Sequence, residues 1–213
     1  MASSAVEEYL QGIYTLADEN GHVVSARLAE FLGFSAAAVS EMVHRLERDG
    51  LVSLDQHKEV HLTKTGKAQA DSVVRRHRLA ERFLVEVLGF AWWKTHEEAE
   101  RLEHAMSAEM EERMITVLGD PQTCPHGNPM PGVAAVPTRP LDTLRPGERA
   151  TVARIPDQFE HEAGFLEYLD GQGVKPGVTI ELVEAAPAVL RVTIDGEVRG
   201  LRPDCGQKVW MAT

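Results

Sequence analysis

The sequence predicts a mainly α-helical fold that opens with a winged helix-turn-helix and closes with a small β-rich barrel. Three observations predict it. Two short helical segments joined by a glycine turn are followed at once by two short strands around a polar turn. Two longer segments with apolar residues at helical spacing come next, and after a proline-rich stretch the chain reads as short strands separated by turns.

Ser4 and Glu7 read as a capping box that opens a helix through about Leu16, with Val6, Leu10, Ile13, Tyr14 and Ala17 at helical spacing. Ser25 caps a short helix over Arg27 to Leu32, Gly33 closes it, and Ser35 caps a second helix running to about Arg48. Leu51 to Leu54 and Val60 to Leu62 form the hairpin called the wing. Thr63 caps a long helix from Lys64 to about Leu88, stopped by Gly89, and Thr95 with Glu98 opens a helix expected to reach Leu118. Leu79, Phe83, Leu84, Val87 and Leu88 make a stripe wide enough to pack between subunits, so this helix pair reads as the module of a homodimer.

Seven prolines between Asp120 and Pro146 mark a linker or an ordered wrap with few backbone donors. Beyond it, residues 150–155, 178–183, 190–194 and 209–212 read as strands, Asp195-Gly196 as a hairpin turn and 164–171 as a short helix. The expected division is 1–72 for the winged helix, 73–140 for the helical part with its linker, and 145–213 for the barrel.

The composition, 43% hydrophobic and 26% charged over 213 residues, is that of a globular chain able to bury a core. No basic start precedes an apolar run and no eighteen apolar residues are consecutive, so neither a signal peptide nor a membrane span is expected and the reading is cytoplasmic. Cys124 and Cys205 are too few for a disulfide scaffold and would remain thiols available to metal. A net charge of −11 argues against a polyanionic partner, but its distribution matters more. Between Arg45 and Arg76 seven Lys or Arg stand against five Asp or Glu, whereas Glu81 to Glu112 is strongly acidic.

His96, Glu100, Glu103 and His104 follow one another at spacings of four, three and one, which at roughly 100° per residue confines them to an arc of about 100° on one helix face. His77 and Glu81 share a face at i and i+4, and Glu8 lies on the first helix. A solvated acidic face is the bland alternative. Clustered carboxylates repel one another by roughly 1 to 4 kcal/mol per close pair at surface-like dielectric, which a bound cation would relieve. Oxygen and imidazole donors suit Mn²⁺, while Fe²⁺, Co²⁺ and Zn²⁺ are possible substitutes because selectivity rests on geometry. Cys124 and His126, in Thr-Cys-Pro-His-Gly, form a C-x-H pair that could complete a second site or belong only to the loop.

The second helix of the helix-turn-helix starts Ser35-Ala36-Ala37-Ala38, followed by Ser40 and Glu41, without Arg, Asn or Gln for bidentate base contacts. Direct readout by Ser35, Ala37 and Ser40 would be sparse, with Arg27, Arg45, Arg48 and Lys58 as phosphate anchors. Alternatively, Arg45 and Arg48 pair with Glu41 and Glu47 on their own helix. No G-x-S-x-G, P-loop, H-E-x-x-H or Gly-rich dinucleotide loop is present, so no enzyme is expected. The rival readings are a metal-dependent hydrolase, in which bound metal activates water, and a winged-helix regulator answering a small organic ligand.

Four stretches together resemble the diphtheria toxin repressor family of metal-dependent regulators, and within it the manganese transport regulator branch. They are Arg45-Leu-Glu-Arg-Asp-Gly-Leu51, Arg76-His-Arg-Leu-Ala-Glu-Arg82, the run from His96 to His104, and Cys124-Pro-His-Gly-Asn-Pro-Met-Pro-Gly132. The resemblance implies an N-terminal DNA-binding domain, a helical dimerisation domain with two metal sites and a C-terminal SH3-like domain. It places His77, Glu81 and His96 in an ancillary site, which Cys124, His126 and an acid of the third domain stand to join. That acid is Glu160, with Asp157 or Glu162 as alternatives. Glu8, Glu100, Glu103 and His104 would form the regulatory site.

Iron-responsive relatives carry Met and Cys where this chain has Glu8 and Glu100, so the resemblance points to manganese, with an Fe²⁺-dependent repressor as the alternative. Glu41 stands where many relatives carry Gln, so their operator sequence does not transfer. The implied function is repression of metal-uptake genes by a homodimer on a palindromic double-stranded operator, without an organic cofactor.

Overall fold

The structure, a computed structural model, describes residues 3–213, and for residues 18–20 the backbone alone. The chain divides into two units, residues 1–77 with 101–107 and residues 78–100 with 108–213.

In the first unit, helix α1 (Ser4–Asn20) starts without the expected capping box, since Ser3 holds the N-cap position with no side-chain cap hydrogen bond and Ser4 is already helical. It also runs past Leu16, because Gly21 at φ 70° supplies the left-handed C-cap. Helix α2 (Ser25–Leu32) begins at Ser25 itself, with Val24 at its N-cap. Val24 is fixed there by an antiparallel bridge to Glu59, beside a Val60 N–H to Val23 O bond of 2.7 Å, so the wing sets the entry of this helix.

Helix α3 (Ala36–Arg48) has the expected cap, Ser35 Oγ accepting from Ala38 N at 3.2 Å. Strands β1 (Val52–Leu54) and β2 (Val60–Leu62) pair antiparallel with Val52 opposite Leu62. The long helix α4 (Lys64–Glu86) is capped by Thr63, whose hydroxyl accepts from Gly66 N at 3.1 Å and donates to Gly50 O at 2.7 Å. A Cβ at Gly66 would stand 1.8 Å from Leu51 O, so only glycine lets this helix start against the wing. Leu10, Ile13, Leu16, Leu28, Val39, Val43 and Leu46 form the apolar centre of this unit.

The single helix expected from Thr95 to Leu118 is two: α5 (His96–Glu103) and α6 (Ala108–Leu118). An Ala105 N–H to Leu102 O bond of 3.0 Å tightens the end of α5. Ser107 followed by Glu109 and Glu111 in the first turn of α6 is a helix-start pattern, which the periodicity concealed. The expected dimer stripe is also revised. Leu79 and Leu84 are buried, and the exposed large apolar residues nearby in the sequence are Val87, Leu88, Phe90, Met110 and Val117.

The proline-rich stretch is an ordered wrap in which Cys124, His126, Asn128 and Met130 are buried. It leads into β3 (Thr138–Pro140), unforeseen in the sequence because proline suits only an edge strand, which β3 is. There follow β4 (Arg149–Arg154), the short α7 (Asp157–Glu160), α8 (Phe165–Gly171), β5 (Thr179–Ala186), β6 (Val189–Ile194), β7 (Glu197–Leu201), the short α9 (Cys205–Lys208) and β8 (Trp210–Ala212). The short helices α7 and α9 and the other edge strand β7, charged and glycine-containing, were also missed.

The six-stranded antiparallel sheet has the order β3-β8-β4-β5-β6-β7, with register shifts within β4 and β5 that bend it. Asp195 and Gly196, at φ 52° and 82°, make the expected hairpin turn. Phe165, Leu166 and Leu169 of α8 belong to the same apolar core as Ile180, Leu182, Val192 and Met211 of the sheet. Among the described residues, no helix is long and apolar enough to cross a membrane.

Candidate metal centre and DNA-binding face

Five donor groups of the second unit converge from four places in the sequence: Glu81 on α4, His96 at the start of α5, Cys124 and His126 in the wrap, and Glu160 on α7. Glu81, Cys124 and His126 present ligand atoms all within 4.8 Å of one another. His126 Nδ1 lies 3.3 Å from Glu81, 3.2 Å from Glu160 and 3.9 Å from Cys124 Sγ. His96 Nδ1 stands 3.9 Å from Glu81 and 3.6 Å from Glu160. The side chains of Glu81, His126 and Glu160 are at most 2% exposed, that of His96 13%.

The wrap is shaped to aim these groups. Cys124 N donates to Asn128 O at 2.9 Å, Gly127 N to Cys124 O at 3.0 Å, and Ile155 N to His126 O at 2.9 Å, which ties the turn to the end of β4. Gly127 has φ +87°, and a Cβ there would lie 2.0 Å from Ala153 O, so the approach requires glycine. His126 Nε2 donates to the Trp92 carbonyl at 2.9 Å, leaving Nδ1 to face the acids, the outer-shell bond that orients an imidazole ligand. Asn128 Nδ2 donates to Glu160 at 2.9 Å and to Ile155 O at 2.7 Å, fixing that carboxylate. Of the three acids weighed for this place, Asp157 is held by Arg78 at 2.5 Å and Glu162 by Lys208 at 2.5 Å, while Glu160 reaches the set.

The first unit holds a separate polar chain. His77 Nδ1 lies 2.6 Å from Glu103, whose other oxygen is 3.3 Å from His104 Nε2. His104 Nδ1 is 2.8 Å from Glu7, and Arg76 donates to the other Glu7 oxygen at 2.7 Å. Glu103 and His77 are buried. Glu8 is exposed on α1, and its half-buried neighbour Glu7 lies 2.8 Å from His104 Nδ1, on the opposite side of the ring from Glu103. Glu100 is exposed and lies 3.3 Å from His96 Nε2, one turn away on α5.

Residues 1–60 match the family described as iron dependent repressor, N-terminal DNA binding domain, and residues 63–132 its metal binding and dimerisation domain. Residues 139–212 match the FeoA domain. The iron-dependent repressor IdeR of Mycobacterium tuberculosis is 46% identical over 194 residues, 85% of this chain and 84% of that protein. The diphtheria toxin repressor of Corynebacterium diphtheriae is 40% identical over 190 residues, covering 84% of each. A solved manganese-dependent transcriptional repressor in complex with manganese superposes with TM-score 0.88 at 36% identity, over 98% of this chain and 99% of that one.

The chain belongs to the family of iron-dependent and diphtheria toxin repressors. It is a metal-dependent DNA-binding repressor, and the relatives it matches are repressors, which leaves the hydrolase reading without support.

The electrostatics of the buried set show what a cation would meet in this repressor. Burial opposes charge on His96, yet Glu100, Glu160 and Glu81 hold its basicity well above the usual 6.5. His126, also buried, is raised in the same direction by Glu160 and Glu81. Burial would lift Glu160, but His126 and His96 hold it down at about 2 against the charge of Glu81. Burial and Glu81 push the Cys124 thiol up to about 11. In this set the neighbouring acids thus favour the protonated form of both imidazoles, and burial favours the protonated thiol. Two carboxylates, two imidazoles and a sulfur within this space fit a first-row divalent cation, and such a cation would displace protons from the imidazoles and the thiol.

On the DNA-binding domain, Ser35, Ala37, Ser40, Arg45 and Arg48 are exposed on or just before α3, and Lys58 is exposed at the wing tip with φ 63°. Arg27 is half-buried, its guanidinium donating to His22 O at 3.2 Å. The expected partners of Arg45, Glu41 and Glu47, are replaced by Asp49, 3.8 Å away, and Glu47 instead meets His44 at 3.4 Å. Arg48 makes no ion pair among the described residues.

Sequence reading missed Glu7, Asn128 and His161. Asn128 directly follows the Cys-Pro-His-Gly turn that carries two donors, which is the signal that could have found it. Glu7 and His161 each adjoin a residue that was named, and only the fold shows which way they face.

Proposed function

We propose that this repressor senses Mn²⁺ and, as a homodimer on a palindromic operator, controls genes of metal uptake. The reading is supported chiefly by the regulatory donor set that the resemblance assigns, Glu8, Glu100, Glu103 and His104, in which every donor is a carboxylate or an imidazole and none is sulfur. His77, Glu81, His96, Cys124, His126 and Glu160 are proposed as the ancillary set.

A bound divalent cation supplies the positive charge that neutralises these clustered carboxylates. With Glu103 and His104, Glu8 would hold that cation and so anchor α1, and with it the helix-turn-helix core. Where His104 gave its nitrogen to the cation instead of to Glu7, Arg76 would still pair with that acid. Ordering α1 in this way places the reader helices of the two protomers for binding, so the metal-free protein binds operator weakly because ordering entropy is lost on the DNA. Ser35, Ala37 and Ser40 meet bases while Arg27, Arg45, Arg48 and Lys58 meet phosphates.

An Fe²⁺-responsive repressor is the second reading. Cys124 brings a sulfur to the buried set, and the two curated relatives above include one named for iron. Operator binding measured by fluorescence anisotropy with Mn²⁺, anaerobic Fe²⁺, Co²⁺ and Zn²⁺, beside the metal content of the purified protein, separates the two. Tight binding at low micromolar Mn²⁺ with weaker activation by Fe²⁺ is expected, and the reverse order overturns the manganese assignment.

A further inference from the structure

His96 is two-faced. Its Nδ1 is turned to Glu81 and Glu160 in the buried set, while Nε2 lies 3.1 Å from His161 Nδ1 and 3.3 Å from Glu100. The two imidazoles meet edge to face with centroids 4.2 Å apart. His96, Glu100 and His161 present ligand atoms all within 4.8 Å of one another, and Glu100 and His161 are exposed.

This outer trio lines a cleft of about 630 Å³ in the second unit whose wall also includes Glu160. Glu97, Glu98, Glu162 and Glu167 line it too, with Lys94 as the lining cation. His96 and Glu160 thus belong both to the cleft and to the buried set, whereas Cys124 and His126 are sealed from solvent. A negatively lined cleft concentrates cations, and two imidazoles with one carboxylate at its base can replace part of a hydration shell.

We propose that His161, with the outer nitrogen of His96 and with Glu100 for as long as that acid is not taken up by the regulatory set, forms an outer station where a hydrated divalent cation docks before it passes to the buried set. The inference rests on the buried set being a metal site. Passage is ligand exchange alone: His96 changes the nitrogen it offers, Glu160 takes over from Glu100, and the remaining waters are released as His126 and Cys124 bind. No bond between heavy atoms of the protein is made or broken. The cation's bond to His96 Nε2 is exchanged for one to Nδ1 as the ring loses its Nδ1 proton and takes one up from solvent at Nε2. The protons displaced from His126 Nδ1 and the Cys124 thiol leave to solvent. His161 therefore governs how fast metal enters and leaves the buried set, with little part in how tightly it is finally held.

Stopped-flow mixing of the full chain with Mn²⁺, read by tryptophan fluorescence, tests this. Trp92 is a built-in reporter, its ring centred 5.5 Å from that of His126. In His161→Ala and His161→Gln the association rate falls by about tenfold or more and dissociation slows in proportion, leaving the equilibrium affinity unchanged. Wild-type association rates in both variants overturn the station. So does weakened affinity at an unchanged association rate, which makes His161 an ordinary ligand. Glu81→Gln separates the underlying reading: loss of the fluorescence-reported ion supports the buried site, whereas wild-type Mn²⁺ content and affinity in that variant overturn both.

Discussion

Gly127→Ala is the substitution whose cost can be worked most directly from the geometry. An L-residue at φ +87° is strained by about 1 kcal/mol on its own. The new methyl would also stand 2.0 Å from Ala153 O and 2.9 Å from Arg154 Cα, both backbone atoms that cannot rotate away. The wrap must lift from β4, and the Ile155 N–H to His126 O bond of 2.9 Å goes with it. Strain, the lost bond and imperfectly re-satisfied amides sum to about 2–4 kcal/mol of stability.

Gly119→Ala is the control, since Gly119 has a similar φ of +72° but nothing within 4 Å of an added Cβ, so only the backbone strain of about 1 kcal/mol applies. Lifting the wrap also moves His126 off Glu81 and Glu160, and Mn²⁺ affinity falls about 10–100-fold, the range for lost ligand orientation. Urea unfolding of the metal-free proteins and Mn²⁺ titration, both followed by tryptophan fluorescence, measure the two effects. A Gly127→Ala protein as stable as Gly119→Ala and with wild-type Mn²⁺ affinity would refute the reasoning.

Other perturbations follow from the same geometry. Because His96 and His126 are raised above 6.5, their contribution to metal-free stability is complete below that pH and is lost as pH climbs through their raised values. Cation binding needs both rings neutral, so Mn²⁺ affinity rises with pH over the same window, and calorimetry in buffers of differing ionisation heat should detect released protons; an affinity flat from pH 6 to about 8 contradicts this. Arg78→Ala leaves Asp157 without its 2.5 Å partner and should lower stability by about 3 kcal/mol in thermal unfolding, and an unchanged midpoint counts against that pairing. Glu100→Cys should relax metal discrimination toward Fe²⁺ and Co²⁺ in operator gel shifts, with unchanged metal preference as the contrary result. Glu8→Ala should abolish metal-dependent operator binding while the dimer persists in sedimentation, and wild-type operator affinity would sink the role given to α1. Arg48→Ala should reduce the salt slope of operator binding by about 1, and an unaltered slope removes it from the phosphate contacts.

The sequence by itself determined the winged helix, because Ser35, Gly33 and the alternation around residues 51–62 are local signals in which propensity, capping and pattern agree. It also singled out the candidate donors on α4 and α5, whose spacing on a helix is fixed by 3.6 residues per turn. The break between α5 and α6 was obscured because apolar residues continue across it at helical spacing, and β3 and β7 because edge strands need little apolar content. Only the tertiary structure decided that Cys124, His126 and Glu160 meet Glu81, that Glu160 rather than Asp157 or Glu162 is the acid there, and that Glu7 joins Glu103 beside His104. Those meetings depend on a glycine pressed against a carbonyl, an asparagine holding a carboxylate and an arginine claiming its neighbour, contacts between residues far apart in the chain that no local pattern records.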